Sequence, residues 1–207
     1  MTDKKLLSKA YQLSTPDDAR TLYDEWAVTY DDELVSGNEY VAPVRMADTF
    51  AKYCGDKAAR IIDIGCGTGL GGEALAGLGY SQIDGLDLSP GMLEVAGGKG
   101  VYGALIEADM TKPIAVEDAT YDACVSVGAF THSHIGPSGL DQVMRITRPG
   151  AIISLLVNAE AYRDDGYQAK FDEIEASGQA AMLLNEEVDY IIATGTRGRN
   201  VVLRRGG

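Results

Sequence analysis

Ile61-Ile62-Asp63-Ile64-Gly65-Cys66-Gly67-Thr68-Gly69-Leu70 runs from a short apolar segment through three alternating glycines into helix-compatible sequence. Glycine is needed where a chain turns sharply and a ligand lies against bare backbone, so the stretch reads as a strand, a ligand-cradling turn and a helix. Downstream, short apolar runs alternate with helix-length segments, the pattern of a parallel sheet with crossover helices. Strands are expected over 60–64, 82–87, 101–107, 121–127 and 151–158, and helices over 69–78, 90–96, 139–147 and 165–176. Two further β-rich runs, 182–193 and 199–204, flank Thr194-Gly195-Thr196-Arg197-Gly198 and suit an antiparallel hairpin. The expected fold is α/β: a Rossmann-like, doubly wound, seven-stranded, mostly parallel sheet with an antiparallel C-terminal edge hairpin.

Upstream, Thr15-Pro16-Asp17-Asp18 supplies an N-cap, a proline at the first helical position and acid in the first turn. The helix it starts repeats apolar or aromatic residues at Ala19, Leu22, Tyr23, Trp26, Ala27 and Tyr30, so one face is covered. A second amphipathic helix is expected over 43–54. Residues 1–58 are accordingly read as a helical cap and 59–207 as the α/β core of a single domain over 1–207.

The 207 residues are 45% hydrophobic and 24% charged, ordinary globular usage for one domain. No stretch approaches the roughly 18 apolar residues of a membrane span, so no membrane partner is expected. Eighteen Lys and Arg against 31 Asp and Glu give a net charge of −13, which opposes long-range attraction to phosphate backbones; no nucleic-acid partner is expected. Cys54, Cys66 and Cys124 are odd in number and form no Cys-x-x-Cys pair, which suggests neither a disulfide framework nor a metal site and fits a reducing cytoplasm. The N-terminus develops no apolar core before a cleavage site, so export is not expected.

Two ligand classes compete for the glycine turn. Gly67-x-Gly69-x-x-Gly72 matches the dinucleotide fingerprint, with Asp87 at the end of the next strand 20 residues after Gly67. That fingerprint should open directly after its strand, whereas here Gly65 already ends the apolar run and an acid, Asp63, sits inside it. The pattern Asp63-x-Gly65-x-Gly67-x-Gly69 closely resembles the first motif of class I S-adenosylmethionine-dependent methyltransferases. Ile83-Asp84-Gly85-Leu86-Asp87-Leu88-Ser89-Pro90-Gly91-Met92-Leu93 is similar to that family's second strand, ribose acid and capped helix, and Glu107-Ala108-Asp109-Met110 to its adenine-binding turn. The run 127–134 is similar to a branch of methyltransferase-like proteins that includes the human protein associated with Williams-Beuren syndrome.

The resemblance implies S-adenosylmethionine as cofactor and a set of roles. Asp87 would accept both ribose hydroxyls, and Asp63 would face the cofactor's ammonium or fix the glycine turn. Gly65, Gly67 and Gly69 would leave room for the methionine moiety, with Cys66 beside them as a small buried filler. Asp109 and the Met110 backbone would read adenine, Leu88 and Met110 would sandwich it, Met92 would line the site, and Tyr30 would reach the cofactor carboxylate. His132 and His134, the only histidines, fall in one loop after the fourth strand, where α/β proteins place ligands. One of them is the candidate catalytic base for an acceptor that must lose a proton. Asn158, Glu160 and Tyr162 are candidates for the substrate cavity. The implied activity is methyl transfer, by in-line displacement, to a small or medium-sized acceptor. The alternatives are a nicotinamide-dependent oxidoreductase and a non-catalytic S-adenosylmethionine-binding regulatory protein. Neither the acceptor atom nor the oligomeric state is legible.

Overall fold

Four buried residues, Ile61–Ile64, form β1, and their alternation decides how the molecule is layered. Ile62 and Ile64 point into one apolar layer, Ile61 into the other. The computed structural model describes residues 9–10, 15–36, 39–131 and 134–207. In chain order its elements are α1 (Pro16–Trp26), a π-helical turn (Asp32–Ser36), α2 (Ala42–Tyr53), β1, α3 (Leu70–Gly77), β2 (Ile83–Asp87), α4 (Pro90–Gly98), β3 (Leu105–Glu107) and β4 (Tyr121–Val127). There follow α5 (Gly139–Ile146), β5 (Thr147–Asn158), α6 (Ala159–Asp164), α7 (Tyr167–Ala176), β6 (Ala180–Ile191) and β7 (Thr196–Arg205).

The seven strands stand in the order β3-β2-β1-β4-β5-β7-β6. Strands β1 to β5 are parallel, and β7 pairs antiparallel with both β5 and β6. The last strand of the chain therefore lies inside the sheet, and β6 is the edge. The winding direction reverses between β1 and β4, so the carboxyl ends of β1, β2 and β4 open onto one crevice, the position where such sheets bind ligands. Helices α5 and α7 cover one face of the sheet through Val143, Ile146, Phe171 and Ile174.

The other face corrects the expected cap. Helix α2 buries Met46, Ala47 and Phe50 against Ile61, Ile83 and Val125, so it is a layer of the α/β core. An amphipathic pattern shows that a face is covered without showing by what, and here the larger apolar partner is the sheet. Helix α1 behaves differently: Leu22 and Trp26 form a separate cluster with Leu34, and the helix lies across the crevice. It starts as its sequence dictates, with Thr15 accepting from the Asp18 amide at 3.1 Å and Pro16 in the first turn. Strand β3 is only three residues long, because Tyr102 and Gly103 lie outside the sheet.

Candidate active site

Gly65 and Gly67 turn the chain out of β1 at φ of +64° and +54°, a region that a side chain makes costly. Their surroundings differ. A Cβ on Gly65 would collide with Ala129 after β4, whereas one on Gly67 would meet nothing within 4 Å and project into open space. Gly69 departs from expectation. A Cβ there would lie 3.0 Å from the Tyr102 ring and 3.2 Å from Lys99, so this glycine lets Tyr102 pack rather than making room in the cleft. Gly72 does the same, its amide donating to Tyr102 Oη at 3.2 Å. Tyr102 thus packs against two of the three glycines in the dinucleotide-like match, and the φ of +95° at Gly69 independently favours glycine there.

Asp87, at the end of β2, is held by the turn it serves. Its Oδ2 accepts from the Gly67 amide at 2.8 Å and its Oδ1 from the Ser89 amide at 2.9 Å. Burial raises its pKa, opposed by the amides of Ser89, Gly67 and Leu88. Each oxygen keeps lone-pair capacity for a further donor, so the carboxylate can accept from hydroxyls of a ligand in the cleft. Asp63 points away from the layer of Ile62 and Ile64, 3.1 Å from where a Gly71 Cβ would sit, and accepts from Tyr102 Oη at 2.7 Å. Burial pushes its carboxyl up to about 7, against the Tyr102 hydrogen bond and helped by the charge of Asp87. A buried acid of this kind waits for a cation. Cys66 beside it stays a thiol, since burial raises its pKa further still.

Three connected cavities follow from this arrangement. The largest is a cleft of about 770 Å³ including its open mouth. It is lined by Gly65, Gly67, Asp87, Leu88, Met92, Asp109 and Met110, with Arg20 and Tyr23 from α1 forming its roof. Asp109 accepts from the Thr111 amide at 2.9 Å and pairs with Lys112 at 2.8 Å. Burial alone would raise its pKa, but Lys112 and Thr111 hold it below the usual carboxylate range. A smaller inner cavity, sharing Tyr30, Gly65, Gly67 and Val127 with the cleft, contains Asp63 and Cys66. A third, aromatic cavity adjoins the cleft along Tyr23, Tyr30, Gly128 and His134. His134 Nε2 lies 3.0 Å from Tyr23 Oη on this common wall. His132 lies outside the described residues.

Asn158, Glu160 and Tyr162 do not line these cavities. Asn158 caps α6, accepting from the Glu160 and Ala161 amides, and Tyr162 is buried against Phe171. Conversely, sequence reasoning missed the contacts that hold α1 in place. Asp24 Oδ1 accepts from Ser89 Oγ at 2.5 Å and the Gly91 amide at 3.0 Å. Asp31 accepts from Thr68 Oγ1 and pairs with Lys99 Nζ at 2.7 Å, and Lys99 also pairs with Glu73. The roof is pinned to both nucleoside-side motifs.

A Rossmann-like sheet with an acid-bearing glycine turn, an acid with free acceptor capacity and a deep cleft defines a nucleoside-cofactor protein of the α/β class. Residues 62–155 match the methyltransferase-domain family. Human methyltransferase-like protein 27 is 31% identical over 189 residues, 87% of this chain and 76% of that protein. The bovine 18S rRNA (guanine-N(7))-methyltransferase is 38% identical over 101 residues, 44% of this chain and 36% of that protein. Among solved structures, the [4+2]-cyclase SpnF superposes with a TM-score of 0.73 at 16% identity, over 94% of this chain and 97% of that one. The chain belongs to the class I S-adenosylmethionine-dependent methyltransferases, and S-adenosylmethionine is its cofactor. This removes the nicotinamide reading. The residues fit that group: Gly67 leaves open space, Asp87 offers two oriented acceptors and Asp63 an uncompensated buried acid. Among the described residues no helix is long and apolar enough to cross a membrane, and no group of His, Cys, Asp and Glu could hold a metal ion.

Proposed function

We propose that the protein methylates a small acceptor at the boundary between the cleft and the aromatic cavity. The observation that carries this reading is the His134–Tyr23 pair on the wall common to both spaces. In it, Asp87 holds the ribose, Asp109 and the Met110 backbone read adenine between Leu88, Met92 and Met110, and Asp63 and Tyr30 meet the amino-acid end. When bound, S-adenosylmethionine supplies an electrophilic methyl carbon on a sulfonium. Alignment of the acceptor can then supply much of the rate. An acceptor O–H or N–H that takes this methyl group would release its proton at the wall shared by the two spaces. Tyr23 takes that proton while passing its own to His134 Nε2.

The net charge of −13 favours a small molecule over RNA, and the rRNA-modifying relative aligns with less than half of this chain. Three free, buried thiols fit a reducing, cytoplasmic setting. The test is incubation of the protein with methyl-labelled S-adenosylmethionine and a cell extract, followed by separation of RNA from small molecules. Label should enter the small-molecule fraction and be lost with His134→Ala, which should still bind S-adenosylhomocysteine; label in RNA would contradict the reading.

A further inference from the structure

The aromatic cavity has a chemistry of its own. Its space, open solvent at the mouth included, is about 440 Å³, and it runs from the common wall beneath α1. Trp26, 1% exposed, meets Tyr30 edge-on at 4.8 Å between ring centroids, and Tyr40 meets Tyr190 edge-on at 5.4 Å. Leu34 and Ile191 complete the apolar walls. Among the described lining residues none is Asp, Glu, Lys or Arg. A carboxylate or phosphate brought into this space would shed its water with no Lys or Arg to pair with and only His134, on the common wall, able to carry a positive charge, whereas an uncharged flat ring would gain edge and face contacts with the tyrosines.

Polar groups stand among these apolar walls: the lining tyrosines, the His134 ring and Thr131. Thr131, 8% exposed, has a fully buried Oγ1 with no hydrogen-bond partner. Buried hydroxyls are almost always satisfied, and of the orphaned buried side-chain atoms among the described residues, Thr131 Oγ1, Ser154 Oγ and Asn200 Oδ1, only the first belongs to a residue lining this cavity. Gly128, at the boundary with the cleft, adopts φ +77°, and a Cβ there would collide with the Tyr190 hydroxyl and lie 3.3 Å from that of Tyr40. Any side chain at 128 would therefore intrude where the two spaces join.

Resting on the proposal that methyl transfer occurs at this boundary, we infer that the acceptor is a small, uncharged hydroxylated aromatic molecule with a second polar group. Its ring lies in the aromatic cavity, its reacting hydroxyl faces Tyr23 and His134, and its second polar group pairs with Thr131 Oγ1. Thr131 and Gly128 are then specificity-determining residues. The full chain, saturated with S-adenosylhomocysteine at pH 6.5, is titrated calorimetrically with 4-hydroxyacetophenone, with its anionic near-isostere 4-hydroxybenzoate, and with 4-ethylphenol. 4-Hydroxyacetophenone should bind at least about tenfold more tightly than 4-hydroxybenzoate. Thr131→Val should weaken 4-hydroxyacetophenone by about 3- to 10-fold, leave 4-ethylphenol unchanged and not lower the thermal midpoint, and Thr131→Ser should restore binding. Equal binding of ketone and carboxylate, no binding of any probe, or indifference to Thr131→Val would overturn the inference while leaving the cofactor site intact. Failure of S-adenosylhomocysteine itself to bind would overturn the reading beneath it.

Discussion

Asp63→Asn separates what a buried carboxylate costs the fold from what it contributes to the site. Burial pushes this carboxyl from 3.8 to about 7, so the folded chain holds the proton more tightly than the unfolded chain does. The resulting stabilisation is complete below about pH 4 and is lost as the pH rises through about 7. Over that span, at about 1.4 kcal/mol per pH unit, the loss reaches about 4 kcal/mol. Asparagine has the same shape, carries no charge and still offers an oxygen to Tyr102 Oη. At roughly 2–4 °C per kcal/mol for a chain of this size, the variant's thermal midpoint should be close to wild type at pH 4 and about 10 °C above it at pH 8. The site should respond in the opposite sense, because in the proposed function the ammonium of S-adenosylhomocysteine gives the carboxylate a cationic partner beside Tyr102. At pH 8 the variant should bind this ligand about 10- to 100-fold more weakly, the worth of one charged hydrogen bond. Wild-type affinity should decline below about pH 7 as the proton competes. Calorimetric melting and titration from pH 4 to pH 8 read both effects. Parallel melting curves for the two proteins, or unchanged affinity in the variant, would refute the reasoning.

Other perturbations test other contacts. Tyr102→Phe removes the donor to Asp63 and the acceptor of the Gly72 amide; stability should fall by about 1–3 kcal/mol at pH 8, and by less at pH 5, in chemical denaturation. Asp31→Ala cuts the α1 side from Thr68 and Lys99, and loss of a half-buried pair worth about 1 kcal/mol should speed S-adenosylhomocysteine release by roughly fivefold in stopped-flow fluorescence of Trp26. His134→Gln should lower turnover by about 10²- to 10⁴-fold with cofactor affinity unchanged, which separates proton removal from binding.

How far the sequence reaches depends on the distance between partners. The glycine turn, Asp87 and the Ser89-Pro90 start of α4 were legible because each motif is local, and the backbone conformation it demands restricts the residue type. The hairpin was legible from its connector, although the position of β7 inside the sheet was not, since strand order depends on non-local pairing. Tyr102 was absorbed into an expected strand over 101–107, yet it leaves the sheet to meet Asp63, 39 residues away in sequence. Asp24 falls within the helix that starts at Thr15 and Asp31 just beyond it, and nothing local marks their partners Ser89, Thr68 and Lys99. Asp84 and Asp87 lie three residues apart in one motif, but Asp84 is a structural group bound to Arg60 and Tyr121 on the far side from the cleft.

In the proposed function the cleft holds S-adenosylmethionine through Asp87. The most direct test is calorimetric titration of wild type and Asp87→Ala with S-adenosylmethionine, S-adenosylhomocysteine and NAD. Wild type should bind the first two and not NAD, and the variant should bind them at least about 100-fold more weakly, the worth of two charge-assisted hydrogen bonds. Preferential binding of NAD, or an affinity indifferent to Asp87, would contradict it.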